Sequence, residues 1–204
     1  LAAFGGKLLA EEKVDFVREL AQLSARTPGG EFKAWPLVET IQEGGVCSVV
    51  LSPAPDVTSA NLERTVEIAK KVAEALGVTG VLAVEMFEAR DGRILINELA
   101  MRPHNSGHWT IDGAKTSQFE QHLRAVLDLP LGDPSMTARN VVMGNILGGE
   151  KEDMYRPYLH LMARTPAMKF HQYKKSSTPG ALVGHVTLAG NNLEVLIEEI
   201  EHAL

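Results

Sequence analysis

Two apolar runs flank Asp91-Gly92 in "VLAVEMFEARDGRILINELA", and they carry Glu85 and Glu98. Asp-Gly between such runs signals a β-hairpin. With a two-residue turn, Arg90 faces Arg93 and Glu85 falls opposite Glu98. Directly opposed side chains share a face with Cβ atoms ~4.5–5.5 Å apart, and like charges there repel. Alternation sets Val81, Ala83 and Phe87 beside Glu85, and Ile94 and Ile96 beside Glu98. Two carboxylates on an apolar face need compensation. One form is a shared proton, with the two ionisations pushed apart. The other is a divalent cation; carboxylates with an amide at Asn97 suit a hard ion such as Mg²⁺, which takes phosphate oxygens as further ligands. A longer turn would instead slip the register and leave one glutamate in solvent.

Arg102, His104, Asn105, Ser106 and His108 follow at once, in a loop where Pro103 and Gly107 forbid regular structure. Arginine suits planar, bidentate anion recognition, and His and Asn add donors. An anion or phosphoryl group could sit between a cation and Arg102. Two other roles compete: Arg102 neutralising the glutamates, and a zinc site on His104 and His108, which lacks a third ligand.

These residues need elements to hold them. Residues 7–52 read as short strands, with "TPGG" and "QEGG" as hairpin turns. Phe16 to Ala25 fits a strand better than a short helix. Leu62, Val66, Ala69, Ala73 and Leu76 recur at helical spacing, capped by Thr58 or Ser59 and closed by Gly77. A second helix is predicted from Ser117 to Leu129, with a Ser117/Glu120 capping box, a buried stripe of Phe119, Leu123, Val126 and Leu127, and Pro130 as its stop. "GDPS" at 132–135 marks a boundary between units at 1–133 and 134–204. Strand-like runs ("ARNVVMGNIL", "ALVGHVTLAG") and an amphipathic helix from Leu193 complete the chain.

The 204 residues are 45% hydrophobic and 23% charged, with a net charge of −6, which excludes a general nucleic-acid or anionic-membrane binder. Lys169, Lys174 and Lys175 leave room for a local basic pocket. Cys47 is the only cysteine, so neither an internal disulfide nor a cysteine zinc cluster can form. No signal peptide and no run of ~20 apolar residues is visible, and the expected location is cytoplasmic. The absence of an initiating methionine suggests a piece of a longer polypeptide.

The run "INELAMRPHNSGHWTIDGAKTSQFEQHLRAVLDLPLG" closely resembles the 5-(carboxyamino)imidazole ribonucleotide synthases, a family of ATP-grasp ligases in purine biosynthesis. The resemblance covers essentially the whole chain. It implies an α+β fold: the second half of an ATP-grasp domain, an antiparallel sheet with packed helices, then a small β-rich C-terminal domain. It also implies ATP and Mg²⁺, with bicarbonate phosphorylated to carboxyphosphate and the amine of 5-aminoimidazole ribonucleotide carboxylated, in a homodimer. Carried over, Glu11, Glu12, Lys13 and Val14 match the adenine hinge and Glu19 the ribose carboxylate. Gln42 stands where many relatives have a nucleotide-site histidine. Glu85 and Glu98, with Asn97, match the Mg²⁺-ATP ligands; Arg102, His104 and Asn105 match the bicarbonate and carboxyphosphate site; Lys175 matches a substrate-phosphate contact.

The chain departs from that pattern at Met101, usually Pro, and at Thr178, Ala181 and Leu182, where relatives carry basic residues. The family's N-terminal Rossmann-like domain and glycine-rich phosphate loop have no counterpart in these residues, so the chain alone is expected to be inactive. A ligase for another acceptor and a non-catalytic nucleotide-binding fragment are the competing readings.

Overall fold

The computed structural model describes residues 9–149, 155–173 and 179–204. Among them, nine strands form one antiparallel sheet. They are β1 (Phe16–Arg26), β2 (Phe32–Ala34), β3 (Val38–Glu43), β4 (Val46–Ser52), β5 (Gly80–Ala89), β6 (Ile94–Ala100), β7 (Asn140–Leu147), β8 (Lys169–Gln172) and β9 (Leu182–Gly190). Their order is β6-β5-β1-β3-β4-β7-β9-β8, with β2 paired to β1 beside this path. β7 pairs with β4, so the sheet runs unbroken across position 133. Five helices accompany it: α1 (Ser59–Ala75), α2 (Thr110–Gly113), α3 (Gln118–Val126), α4 (Tyr155–Arg164) and α5 (Leu193–Glu201).

Period-2 alternation divides the apolar residues between two faces. Leu20, Leu82, Val84 and Met86 pack with Ala69 and Ala73 of α1, and on the same face Leu51 and Val142 pack with Leu196 and Ile200 of α5. The other face presents Ala21, Leu23, Val81, Ala83, Val50 and Met143 to Trp109, Ala114 and Ala125. The segment bearing residues 101–131 is therefore clamped on the face opposite α1 and α5, with Trp109 fully buried as its anchor. This face carries Glu85.

Several expectations hold. Phe16 to Ala25 is strand, Thr58 caps α1 by accepting from the Asn61 amide, and Gly77 follows the helix at φ 60°. Ser117 accepts from the Glu120 amide. Others are corrected. Residues 9–15 form no strand, and α4 has no counterpart in the expected pattern. Helix α3 ends at Val126, and Glu120 binds Arg124 rather than returning to its cap. Its predicted buried stripe is exposed: Phe119 at 42%, Leu123 at 59%, Val126 at 42% and Leu127 at 65%. Gln118, Gln121 and Ala125 face inward instead.

The hairpin register is also corrected. The Ala89 amide donates to the Arg93 carbonyl and the Gly92 amide to the Ala89 carbonyl, so three residues form the turn and Arg90 does not face Arg93. Near the turn Glu88 pairs with Ile94 and Met86 with Ile96. A β-bulge at Asn97 then absorbs one residue and restores Glu85 opposite Glu98. Ile94 and Ile96 consequently share the face of Met86, not that of the two glutamates.

Candidate functional site

The bulge at Asn97 explains how an apolar strand delivers its polar groups at one place. A bulge leaves one residue unpaired and re-aims its neighbours. Asn97 and Glu98 are exposed at the outer strand, while Glu85 is half-buried one strand inward. A second bulge lies in β4, where Ile41 pairs with Val49 but Gln42 with Cys47. It turns Cys47 onto the same face as Gln42.

Glu85 is met by His104, whose Nε2 lies 2.8 Å from Oε1. The Ser106 amide donates to His104 Nδ1 at 3.3 Å, and the Ser106 hydroxyl lies 2.8 Å from the same nitrogen. An amide N–H can only donate, so Nδ1 holds the lone pair and Nε2 carries the proton toward Glu85. His104 meets Glu85 as a hydrogen-bond donor in this arrangement. Gln118 fixes its backbone, accepting from the His104 amide at 2.8 Å and donating to its carbonyl at 2.8 Å. Gln118 also donates to His108 Nδ1 at 2.9 Å. Gly107 makes room for this: a Cβ there would lie 2.5 Å from Gln118 Oε1 and 2.6 Å from Leu23 Cδ2.

Asn105 is paired amide to amide with Asn145 of β7, its Nδ2 donating at 2.9 Å and its Oδ1 accepting at 2.8 Å. Asn145 also donates to the Cys47 carbonyl at 2.8 Å. Arg102 is exposed and its guanidinium bonds only the Pro103 carbonyl among the described residues. It does not neutralise Glu85; His104 occupies that position. The zinc alternative fails as well, because His104 and His108 are engaged by Glu85, Ser106 and Gln118. Among the described residues no three His, Cys, Asp or Glu side chains converge on a metal-sized site.

Glu19 lies on this face of β1, and burial raises its carboxyl above the ordinary range, with the Gln42 amide opposing and the Glu85 charge adding. Burial, then the charges of Glu85 and Glu19, push the Cys47 thiol up to about 12. Glu12, Lys13 and Val14 line a cavity of about 540 Å³ with Asp15, Arg90, Arg93 and Leu95 beside the hairpin turn. Glu11 is exposed outside that lining. Lys174, Lys175 and Thr178 lie outside the described residues.

The structure thus brings Glu19, Gln42, Glu85, Glu98, His104 and Asn105 to one face, with Glu12 to Val14 at its edge. Sequence reasoning missed Gln118, Asn145 and a stack of imidazoles. His185 stacks on His171 at 4.5 Å and on His108 at 5.1 Å between ring centroids. Asp112 holds His171 Nε2 at 2.7 Å, and the Tyr173 hydroxyl lies 2.6 Å from His185 Nδ1. Alternation in "GHVTLAG" could have flagged His185 as inward-facing; nothing in the sequence joins it to His108.

Residues 2–119 match the ATP-grasp domain family model, and residues 141–199 match the phosphoribosylaminoimidazole carboxylase C-terminal domain. The chain is 50% identical to the N5-carboxyaminoimidazole ribonucleotide synthase of Mycobacterium tuberculosis, covering 98% of this chain and 48% of that protein. The N5-carboxyaminoimidazole ribonucleotide synthetase of Thermus thermophilus superposes with a TM-score of 0.83 at 41% identity, over 93% of this chain and 50% of that one. The synthase of Aspergillus clavatus, solved with ADP and 5-aminoimidazole ribonucleotide, gives 0.86 at 35% identity, over 94% and 51%. The chain spans about half the length of the relatives it matches. With more than half of its residues under the ATP-grasp model, on an antiparallel sheet that presents a carboxylate pair beside a histidine-amide cluster, the chain belongs to the ATP-grasp family.

Proposed function

We propose that this chain forms one wall of an ATP-grasp active site that carboxylates the amine of 5-aminoimidazole ribonucleotide with ATP and bicarbonate. The observation carrying this reading is the Glu85–Glu98 pair, set beside His104 and Asn105 on one face of the sheet. The relatives' names support the reaction and the substrates, and this chain spans about half of their length.

A divalent cation fits the donor set. Glu85, Glu98 and the Asn97 side-chain carbonyl are hard oxygen donors, and the Glu98 carboxylate makes no hydrogen bond or ion pair among the described residues. Mg²⁺ held there would neutralise phosphate charge during phosphoryl transfer. Other roles fall to the chain itself. Glu12 to Val14 supply backbone groups for the adenine, with Glu11 at the outer edge of that hinge. Glu19 and Gln42 face the ribose. Arg102, whose guanidinium has donors to spare, recognises bicarbonate and the carboxyphosphate formed from it, and His104 and Asn105 add oriented N–H donors where charge develops. Lys175 contacts the substrate phosphate. The division into 1–133 and 134–204, a homodimer and a cytoplasmic location belong to the same proposal; no helix among the described residues is long and apolar enough to cross a membrane.

A second reading, a ligase for another acceptor, is favoured by one observation. Ala181 packs against the apolar cluster of α5 and β9, so no cation emerges where the family resemblance leads one to expect a basic residue. Phosphate release by the full-length protein, with 5-aminoimidazole ribonucleotide added or omitted, separates the readings. Substrate-dependent release is expected; release only with another acceptor supports the second, and Mg²⁺-ATP binding without turnover supports a non-catalytic module. Glu98→Gln should abolish Mg²⁺-ATP binding, and unchanged affinity would sink the metal assignment.

A further inference from the structure

We infer that Asn145 is a positioning residue that fixes which way the Asn105 amide points. A primary amide has two orientations that exchange its donor and acceptor ends, and neither is preferred by shape. A reciprocal pair such as Asn105–Asn145 does not break this symmetry alone, because both amides can flip together. The Cys47 backbone carbonyl breaks it. A carbonyl only accepts, so Asn145 must turn its NH₂ group toward Cys47, where the bond is 2.8 Å. Its second N–H then donates to Asn105 Oδ1 at 2.8 Å, and its Oδ1 must accept from Asn105 Nδ2 at 2.9 Å. One N–H of Asn105 remains, with its direction determined.

The surroundings hold this arrangement in place. Asn145 is 3% exposed, and leaving either amide end unpaired at such depth costs the desolvation of that group. The β4 bulge beside Cys47 alters the local pairing where that carbonyl is offered. The chain of determination therefore runs from the β4 backbone through Asn145 to Asn105, and ends at the anion side of the site. On the functional reading above, the remaining N–H donates to the developing charge of the carboxyphosphate. Asn145 acts on that charge through Asn105, with its own amide occupied by Asn105 and the Cys47 carbonyl.

The test is a double-mutant cycle in the full-length protein, with Asn105→Ala, Asn145→Leu and the pair, read as the carboxylation rate and the KM for ATP. If Asn145 acts through Asn105, Asn145→Leu lowers kcat by roughly tenfold or more with KM for ATP little changed, and the double variant is no slower than Asn105→Ala. Independent, multiplying losses would overturn the proposal. A second measurement needs no variant and no turnover: the Asn105 side-chain amide proton donated to Asn145 Oδ1 should exchange slowly with solvent in the unaltered protein. Exchange as fast as at an exposed asparagine would overturn the proposal even in an active enzyme. An unaltered protein that does not carboxylate, yet protects this amide, rejects the functional reading and leaves the positioning role supported.

Discussion

Cys47 shows how the charge at this site acts on a single residue. Its thiol is half-buried, and Glu85 and Glu19 stand near enough to oppose a thiolate, so burial and these charges push its pKa up to about 12. The thiolate is the nucleophile in alkylation, and desolvation joined to two carboxylates suppresses it. Native protein at pH 8 should therefore react with iodoacetamide far more slowly than the urea-unfolded chain, followed by mass spectrometry. Glu85→Gln should quicken the native reaction, because one opposing charge is removed while burial remains. Equal native and unfolded rates would contradict the burial of this thiol. His104 answers the same charge differently, by donating a hydrogen bond from Nε2 to Glu85. The residues able to do chemistry were legible from the sequence because carboxylate, guanidinium and imidazole announce themselves by type. Asn145 was not, because its significance rests on a partner forty positions away and on the Cys47 carbonyl, neither of which a local pattern encodes.

At the level of elements, α3 carries the sharpest lesson. Its large apolar residues lie outward, and beside the inward Ala125 the positions Gln118 and Gln121 act as backbone clasps. Gln118 holds the amide and carbonyl of His104, and Gln121 holds those of Gly132 at 2.7 and 3.1 Å. Each satisfies both backbone groups of a residue in the loops flanking the helix. Replacing Leu123 by Lys should shift stability by no more than ~0.5 kcal/mol, as at other exposed sites. Gln121→Leu should lose roughly 1–3 kcal/mol, since it strands a buried donor and a buried acceptor. Urea denaturation of both variants checks the pair; a large loss at Leu123 and none at Gln121 would restore the orientation read from periodicity. The hydrophobic pattern misled because it assumes a large apolar contact face, whereas this helix meets β5 through the small Ala125 and through His122, and gives its other inward positions to loop backbones that need partners. The hairpin shows the converse. Glu85 does face Glu98, but through a three-residue turn and a bulge whose register shifts cancel. The pairing was read from a two-residue turn that the chain does not make, and it holds only because the bulge restores the residue the longer turn takes up; that bulge was not legible, because it depends on how far the turn extends.

For the whole molecule, the imidazole stack couples acidity to stability. His108 is lowered to about 4 and His185 to about 3, each chiefly by burial and then by neighbouring imidazoles, including His171 for both and His104 for His108. Their unfolded pKa is ~6.5. Above that value both are neutral in either state and their contribution to stability is complete. As pH falls from about 6.5 toward 4, the unfolded chain binds protons that the folded stack refuses. Stability is then lost at up to ~1.4 kcal/mol per pH unit for each histidine. Asp112 and Tyr173 do not remove the effect: Asp112 is spent on His171, and the Tyr173 hydroxyl sits on His185 Nδ1. Glu19, raised by burial, acts in the opposite sense where it titrates, while Asp133, held below the usual carboxylate range by Lys115, contributes only at lower pH. The melting temperature should therefore fall between pH 6.5 and 4.5, before most carboxylates protonate. His185→Gln should flatten that slope whatever it does to stability at pH 7.5, because the slope counts protons and the baseline counts packing. A slope unchanged in His185→Gln would mean that the folded stack already accepts the proton, and that β7, β8, β9 and the 104–114 segment are held together without requiring a neutral imidazole between them.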